Sequence, residues 1–134
     1  MSDKQFILKT FKNEFSDYFK FIKKNFKFEK SEIRYMENII NLFLKYNSSK
    51  LIQIWFTYFS IPYGNSILEG NLRYFIDKDY NSDIKSFEQE ENLNYLLKVI
   101  EKTKKELLAL DELLKKECVN HLQNLTKLSI MYFK

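Results

Sequence analysis

The chain of 134 residues has few of the residues from which compact functional motifs are built. It contains one cysteine, one histidine, one proline and two glycines. A single cysteine excludes an intramolecular disulfide framework and is typical of a reducing, intracellular compartment. The chain contains neither a glycine-rich phosphate loop nor a nucleophile elbow. We therefore expect a protein without enzymatic activity.

Apolar residues, in contrast, make up 45% of the chain, and 13 Phe, 9 Tyr and one Trp give it a large aromatic share. A chain of this length can bury roughly two thirds of its unfolded surface, so a well-packed core is expected. The abundant residues Lys, Phe, Ile, Asn and Tyr have A/T-rich codons, which indicates an AT-rich genome. The sequence predicts one all-α domain over residues 1–134, an irregular bundle of four to five helices.

The net charge of +4 is distributed unevenly along the chain. Residues 1–50 are basic, residues 51–92 are acidic and residues 93–134 are basic again. Complementary patches of this kind permit self-association. With two arginines in the chain, bidentate contacts to phosphate or guanine are scarce. A basic helical nucleic-acid-binding protein is therefore an alternative and not the leading hypothesis.

Apolar spacing predicts helices at 4–28, 32–46 and 50–60. The apolar stripe of the first helix comprises Ile7, Phe11, Phe15, Tyr18, Ile22 and Phe26. The opposite face carries Lys9, Lys12, Lys20, Lys23 and Lys27. This pattern predicts a helix that packs on the core and has a solvated back. The alternative is a basic amphipathic helix that binds a membrane surface or a partner.

The second and third predicted helices supply the rest of the core. Ser31 is predicted to cap the second helix, whose apolar stripe comprises Met36, Ile39, Ile40, Phe43 and Leu44. The third helix is predicted to end before Ile61 because Pro62 follows. Residues 51–68 carry no formal charge, but polar residues and Pro62 interrupt them, so no transmembrane segment is predicted. Trp55 is expected in the core, where its indole N–H requires an acceptor.

A heptad-like row of mostly apolar residues runs through the C-terminal third of the chain. Its members are Leu93, Leu96, Ile100, Thr103, Leu107, Leu110, Leu114, Cys118, His121, Leu125, Leu128 and Tyr132. One helix from about residue 82 to the end would be about 75 Å long, more than a small globule covers. The sequence therefore predicts a long C-terminal helix with an exposed seam that self-associates or binds a helical partner. The alternative is a break near 118–124.

The segment 77–88 resembles the twelve-residue calcium loop of the EF-hand family. That resemblance implies oxygen ligands from Asp77, Asp79, Asn81, the carbonyl of Asp83 and a bidentate Glu88. The segment departs from the family pattern at Ser82, where the sharp turn of the loop requires glycine, and no second such loop follows. An acidic turn that caps the next helix is the other interpretation. A calcium-binding helical module is thus an alternative function.

Cys118 and His121 are three residues apart, a spacing that allows both to bind one metal ion. A structural zinc site needs four ligands, and the chain has no other cysteine or histidine. Only two chains together could supply a Cys₂His₂ set. The simpler interpretation is that both residues pack in the seam.

One further resemblance covers the middle of the chain. It rests on Leu51, Trp55, Pro62-Tyr63-Gly64, Ile67, Gly70, Phe75, Lys78-Asp79-Tyr80 and Asp83. These residues look similar to small uncharacterised proteins of large DNA viruses with AT-rich genomes. The resemblance implies a virion or assembly component, located in the host cytoplasm or the virion. It also implies that the acidic turn at 77–88 is a structural feature of the fold and not a calcium site. The leading hypothesis is a non-enzymatic interaction or assembly protein that self-associates through its C-terminal helix.

Overall fold

The computed structural model describes residues 3–71 and 101–134, and every regular element in these two ranges is helical. The helices are α1 (Asp3–Asn25), α2 (Lys30–Tyr46), α3 (Ser48–Trp55), α4 (Ile61–Leu68) and α5 (Glu112–Tyr132). A π-helical turn, Phe56–Ser60, joins α3 to α4, and residues 101–109 are also helical. The predicted all-α fold with a long C-terminal helix is confirmed.

Helix α1 has the predicted buried face. All six residues of its predicted apolar stripe are buried in the core. The helix ends at Asn25, three residues earlier than predicted. The Asn25 side-chain amide donates to the carbonyl oxygen of Phe21 at 3.0 Å. This hydrogen bond holds the Asn25 side chain against the last turn of the helix.

The predicted cap of α2 is wrong by two residues. Glu29 occupies the N-cap, and Ser31 lies inside the first turn. The Glu29 backbone N–H donates to Glu32 Oε1 at 3.1 Å, the reciprocal half of a capping box. The Lys102 ammonium donates to the same carboxylate. That hydrogen bond, together with the one from Glu29, lowers the pKa of Glu32 and fastens segment 101–109 to the start of α2.

The predicted helix end before Ile61 is also wrong. The α3 helix, the π turn and α4 form an unbroken helical column from residue 48 to residue 68, called the middle column below. The Ile61 N–H donates to the Phe56 carbonyl, five residues back. Pro62 therefore stands in the first turn of α4, where its missing N–H is tolerated. The wider π turn before it permits the helix to continue past the proline.

The middle column ends at a backbone conformation that requires glycine. Gly70 has a φ of +79°, in the left-handed region. Its N–H donates to the Ile67 carbonyl at 3.0 Å, and the Asn71 N–H donates to the Ser66 carbonyl at 2.8 Å. These two bonds form a Schellman motif, which closes the helix and turns the chain.

The core lies where α5 packs against both α1 and the middle column. Helix α5 runs antiparallel to α1, because Lys4 lies over the ring of Tyr132 while Glu14 contacts His121. Trp55 is buried in this core, and its Nε1 donates to Thr126 Oγ1 at 3.1 Å. The predicted burial of Trp55, and its need for an acceptor, are confirmed.

The C-terminal helix is not continuous with the segment before it. The helical segment 101–109 ends next to Leu110, and α5 begins after Asp111. The Asp111 carboxylate accepts from the Leu114 N–H at 2.9 Å and so caps α5. The predicted continuity is therefore wrong, and the break lies upstream of the alternative position near 118–124. A single-domain organisation stays a prediction.

Candidate functional site

The predicted interface residues of the described chain face the interior. Leu125 is 0% exposed and Leu107 is also buried, while four others are partly buried against the core: Leu110, Leu114, Leu128 and Tyr132. The side chain of His121 is 19% exposed. The break at Leu110 allows α5 to fold back, so that α1 and the middle column cover its seam. The prediction of an outward-facing seam is wrong for these residues; Leu93, Leu96 and Ile100 lie outside the described residues.

Two leucines that are not members of the predicted seam are exposed instead. Leu113 is 82% exposed and Leu108 is 59% exposed. Each belongs to a leucine doublet, 107–108 or 113–114, on either side of the break. Successive residues of a helix point about 100° apart, so one leucine of a doublet faces the core and the other faces solvent. The doublets were the signal in the sequence that could have identified this surface.

These leucines line a surface concavity of about 600 Å³ at the helix break, which we call the break cleft. Its lining residues are Gly70, Leu107, Leu108, Glu112, Leu113, Lys115, Lys116 and Val119. The lining is mainly aliphatic, and the rim carries charge of both signs. Lys115 Nζ lies 3.6 Å from Glu112 Oε1. A cleft of this size and apolar character is in the range that proteins use to bind ligands or partner side chains.

His121 joins α5 to α1. Its Nδ1 lies 2.8 Å from Glu14 Oε1, and Asn124 Nδ2 donates to the same oxygen at 3.4 Å. The imidazole packs against the rings of Tyr18 and Phe21, at centroid distances of 5.9 and 5.5 Å. Glu14 is thus the orienting partner of His121, and the sequence did not identify it because the two residues are 107 positions apart.

Cys118 does not complete a catalytic or metal-binding set with this pair. The thiol is fully buried, and desolvation together with the nearby Glu117 charge raises the pKa of Cys118 to about 12. At 0% exposure, Cys118 presents its sulfur neither to a substrate nor to a second chain. The zinc site shared between two chains is therefore wrong, because Cys118 presents no sulfur to a second chain. Residues 3–71 and 101–134 hold no cluster of three His, Cys, Asp or Glu side chains suited to a metal ion.

Within residues 3–71 and 101–134, the cavity at the centre of the bundle is too small for a small-molecule ligand. A cavity of about 20 Å³ lies between α1, the middle column and Thr103. That volume is close to the space of one water molecule, and an apolar lining of this kind stays dry. Two buried hydroxyl groups are paired: Ser60 shares a hydrogen bond with Ser129, which also donates to the Thr126 carbonyl at 2.9 Å.

The candidate calcium ligands lie outside the described residues, so the calcium loop stays a prediction. These residues are Asp77, Asp79, Asn81, Asp83 and Glu88. Among the helices of the described ranges, none combines the length and apolar character of a membrane-spanning segment. Comparison of the chain with protein-family profiles, curated proteins and solved structures finds no significant match.

Proposed function

We propose that this protein is a non-enzymatic helical interaction protein that self-associates through the break cleft. The observation that carries the proposal is the exposure of Leu113 and Leu108 beside one another at a helix break. Burying a leucine side chain contributes about 1.5–3 kcal/mol, so two leucines held on rigid helix ends favour a partner that covers them.

The charges around the cleft favour a second copy of the same chain as the partner. Glu112 lines the cleft together with Lys115 and Lys116, so the cleft carries acidic and basic side chains near Leu113. In a two-fold dimer each surface meets itself, and a rim of mixed sign places the acidic group of one copy near the basic groups of the other. A rim of one sign would repel its own copy.

The proposal differs from the seam hypothesis in the residues that make the contact. Leu125 and Leu107 stabilise the bundle from inside, whereas Leu108 and Leu113 form the contact between chains. The proposal of a non-enzymatic protein agrees with the burial of Cys118, which does not offer its thiol as a nucleophile to the His121–Glu14 pair. A role as a viral structural component stays a prediction.

Sedimentation equilibrium over a range of concentrations tests the proposal. The wild-type chain is expected to show a reversible monomer–dimer equilibrium. Leu113→Glu places a charge in the contact and is expected to weaken dimerisation about tenfold or more. Since Leu113 is largely exposed in the monomer, the variant is expected to retain the helical circular dichroism of the wild type.

Leu42→Glu is the matched control, because Leu42 is also an exposed leucine but lies on α2. It is expected to leave the dimerisation constant unchanged. A single monomeric mass at every concentration would overturn the proposal. An equal effect of the two substitutions would assign self-association to a different surface.

A further inference from the structure

The solvent-facing side of α1 carries a dense set of lysines. This basic face comprises Lys9, Lys12, Lys20, Lys23 and Lys24 on the helix, together with Lys27, two residues past the helix end at Asn25. Lys9, Lys20, Lys24 and Lys27 are exposed, while Lys12 and Lys23 are half-buried. With a rise of about 1.5 Å per residue, the helical part of the face extends about 22 Å from Lys9 to Lys24.

Most of these lysines have no anionic partner within the described chain. Lys23 lies 3.9 Å from Glu37, but the exposed four make no ion pair with residues 3–71 or 101–134. They are Lys9, Lys20, Lys24 and Lys27. The acidic residue Glu14 is turned toward His121 on α5. Asp17 is exposed at the edge of the face and is the carboxylate on α1 closest to Lys20 in sequence.

The residues around these lysines indicate which kind of partner the basic face can bind. A helical protein partner needs an apolar seam to bury, and Phe6 is the one large apolar side chain exposed on α1. Insertion into a bilayer needs the apolar stripe of α1, which the core already buries. A single strand of nucleic acid needs successive aromatic rings for base stacking, and this face offers none between Lys9 and Lys27.

We propose that the basic face of α1 binds the phosphate backbone of duplex DNA without sequence preference. Duplex DNA carries one negative charge per about 1.7 Å of its axis, so a lysine face of this length lies within reach of several phosphates. Lysine is a point charge that neutralises phosphate, whereas base reading relies on the bidentate contacts that arginine makes. The surface is separate from the break cleft, so the proposal holds whether or not the chain self-associates.

Fluorescence anisotropy with a labelled duplex of about 20 base pairs, in about 50 mM salt, is the test. The wild-type chain is expected to bind with an affinity that falls steeply as salt rises. The variant Lys9→Gln/Lys20→Gln/Lys24→Gln/Lys27→Gln is expected to bind at least about tenfold more weakly and with a shallower salt slope. Glutamine has a helix propensity close to that of lysine, so α1 is expected to stay folded.

A second variant makes the same charge change elsewhere, at Lys45, Lys105, Lys127 and Lys134, which are all exposed. It is expected to retain most of the affinity. Asp17→Asn removes a negative charge from the edge of the face and is expected to strengthen binding, an outcome that damage to the fold does not produce. Absence of duplex binding at low salt would overturn the proposal, as would equal losses in the two lysine variants. Tighter binding to single-stranded DNA or to vesicles of anionic lipid would also overturn it.

Discussion

Two stretches of the C-terminal third, one around the helix break and one within α5, are both rich in apolar residues but have opposite surroundings. Around the break, residues 107–114 carry two leucine doublets, and one leucine of each is exposed. Farther along, residues 118–129 are also rich in apolar side chains, but there the buried positions are completely enclosed. The difference comes from what lies opposite: α1 and the middle column flank the second stretch, whereas the first opens onto the break cleft. Local hydrophobicity therefore does not distinguish a core segment from a surface segment in this protein.

The largest expected difference between the two stretches is in the cost of shortening a leucine. Leu125→Ala empties a fully enclosed site and is expected to lower the free energy of unfolding by about 2–5 kcal/mol. Leu113→Ala makes the same chemical change on the same helix and is expected to stay within about 0.5 kcal/mol of the wild type. Urea unfolding followed by Trp55 fluorescence, at a protein concentration low enough to keep the chain monomeric, measures both. Equal losses would contradict the assignment of one stretch to the core and the other to the surface.

The enclosed stretch also contains a polar contact whose loss is expected to be costly. Thr126→Val keeps the shape of the side chain but removes the acceptor of the Trp55 N–H. The orphaned indole N–H is expected to lower the free energy of unfolding by about 1–3 kcal/mol. In a Trp55→Phe background the same substitution is expected to cost less, because no N–H remains to be satisfied. Urea unfolding followed by circular dichroism completes this cycle, and equal costs in both backgrounds would rule out the hydrogen bond as a stabilising contact.

The start of α5 at the helix break is expected to be stabilised moderately by the Asp111 side chain. Asp111→Ala removes the acceptor for the Leu114 N–H and is expected to cost about 1 kcal/mol. Asp111→Asn retains a side-chain oxygen and is expected to recover most of that stability, as thermal unfolding would show. If the alanine variant were as stable as the wild type, the cap would not determine where α5 begins.

The smallest expected effect concerns the thiol in the enclosed stretch. Burial raises the pKa of Cys118 from 9.0 to about 12, so between these values the native state keeps a proton that the unfolded state has released. The free energy of unfolding therefore falls as pH rises through this window, by less than about 1 kcal/mol at about pH 9.5. Cys118→Ala is expected to lose less stability than the wild type over the same pH range, whatever its stability at neutral pH. Parallel pH profiles of the two proteins would contradict a buried neutral thiol.

Sequence periodicity predicted the fold class and the buried faces of α1 and α2 closely. It succeeded because an amphipathic helix places its core residues at a fixed spacing, which the six residues from Ile7 to Phe26 follow. It failed at Pro62, because the π turn that accommodates the proline is formed by backbone hydrogen bonds rather than by a residue pattern. It also missed the contact between Glu14 and His121, which only the packing of α5 on α1 brings together.

For the C-terminal third, the amino-acid order alone determined which side of α5 is apolar. The tertiary structure decided what covers that side, and the covering proved to be α1 and the middle column of the same chain. The physical reason is that apolar burial is non-directional: it rewards any surface that excludes water and does not specify which surface that is. The helix break at Leu110 and Asp111 allowed α5 to bury its apolar side within the same chain. It left Leu108 and Leu113 exposed on either side of the break.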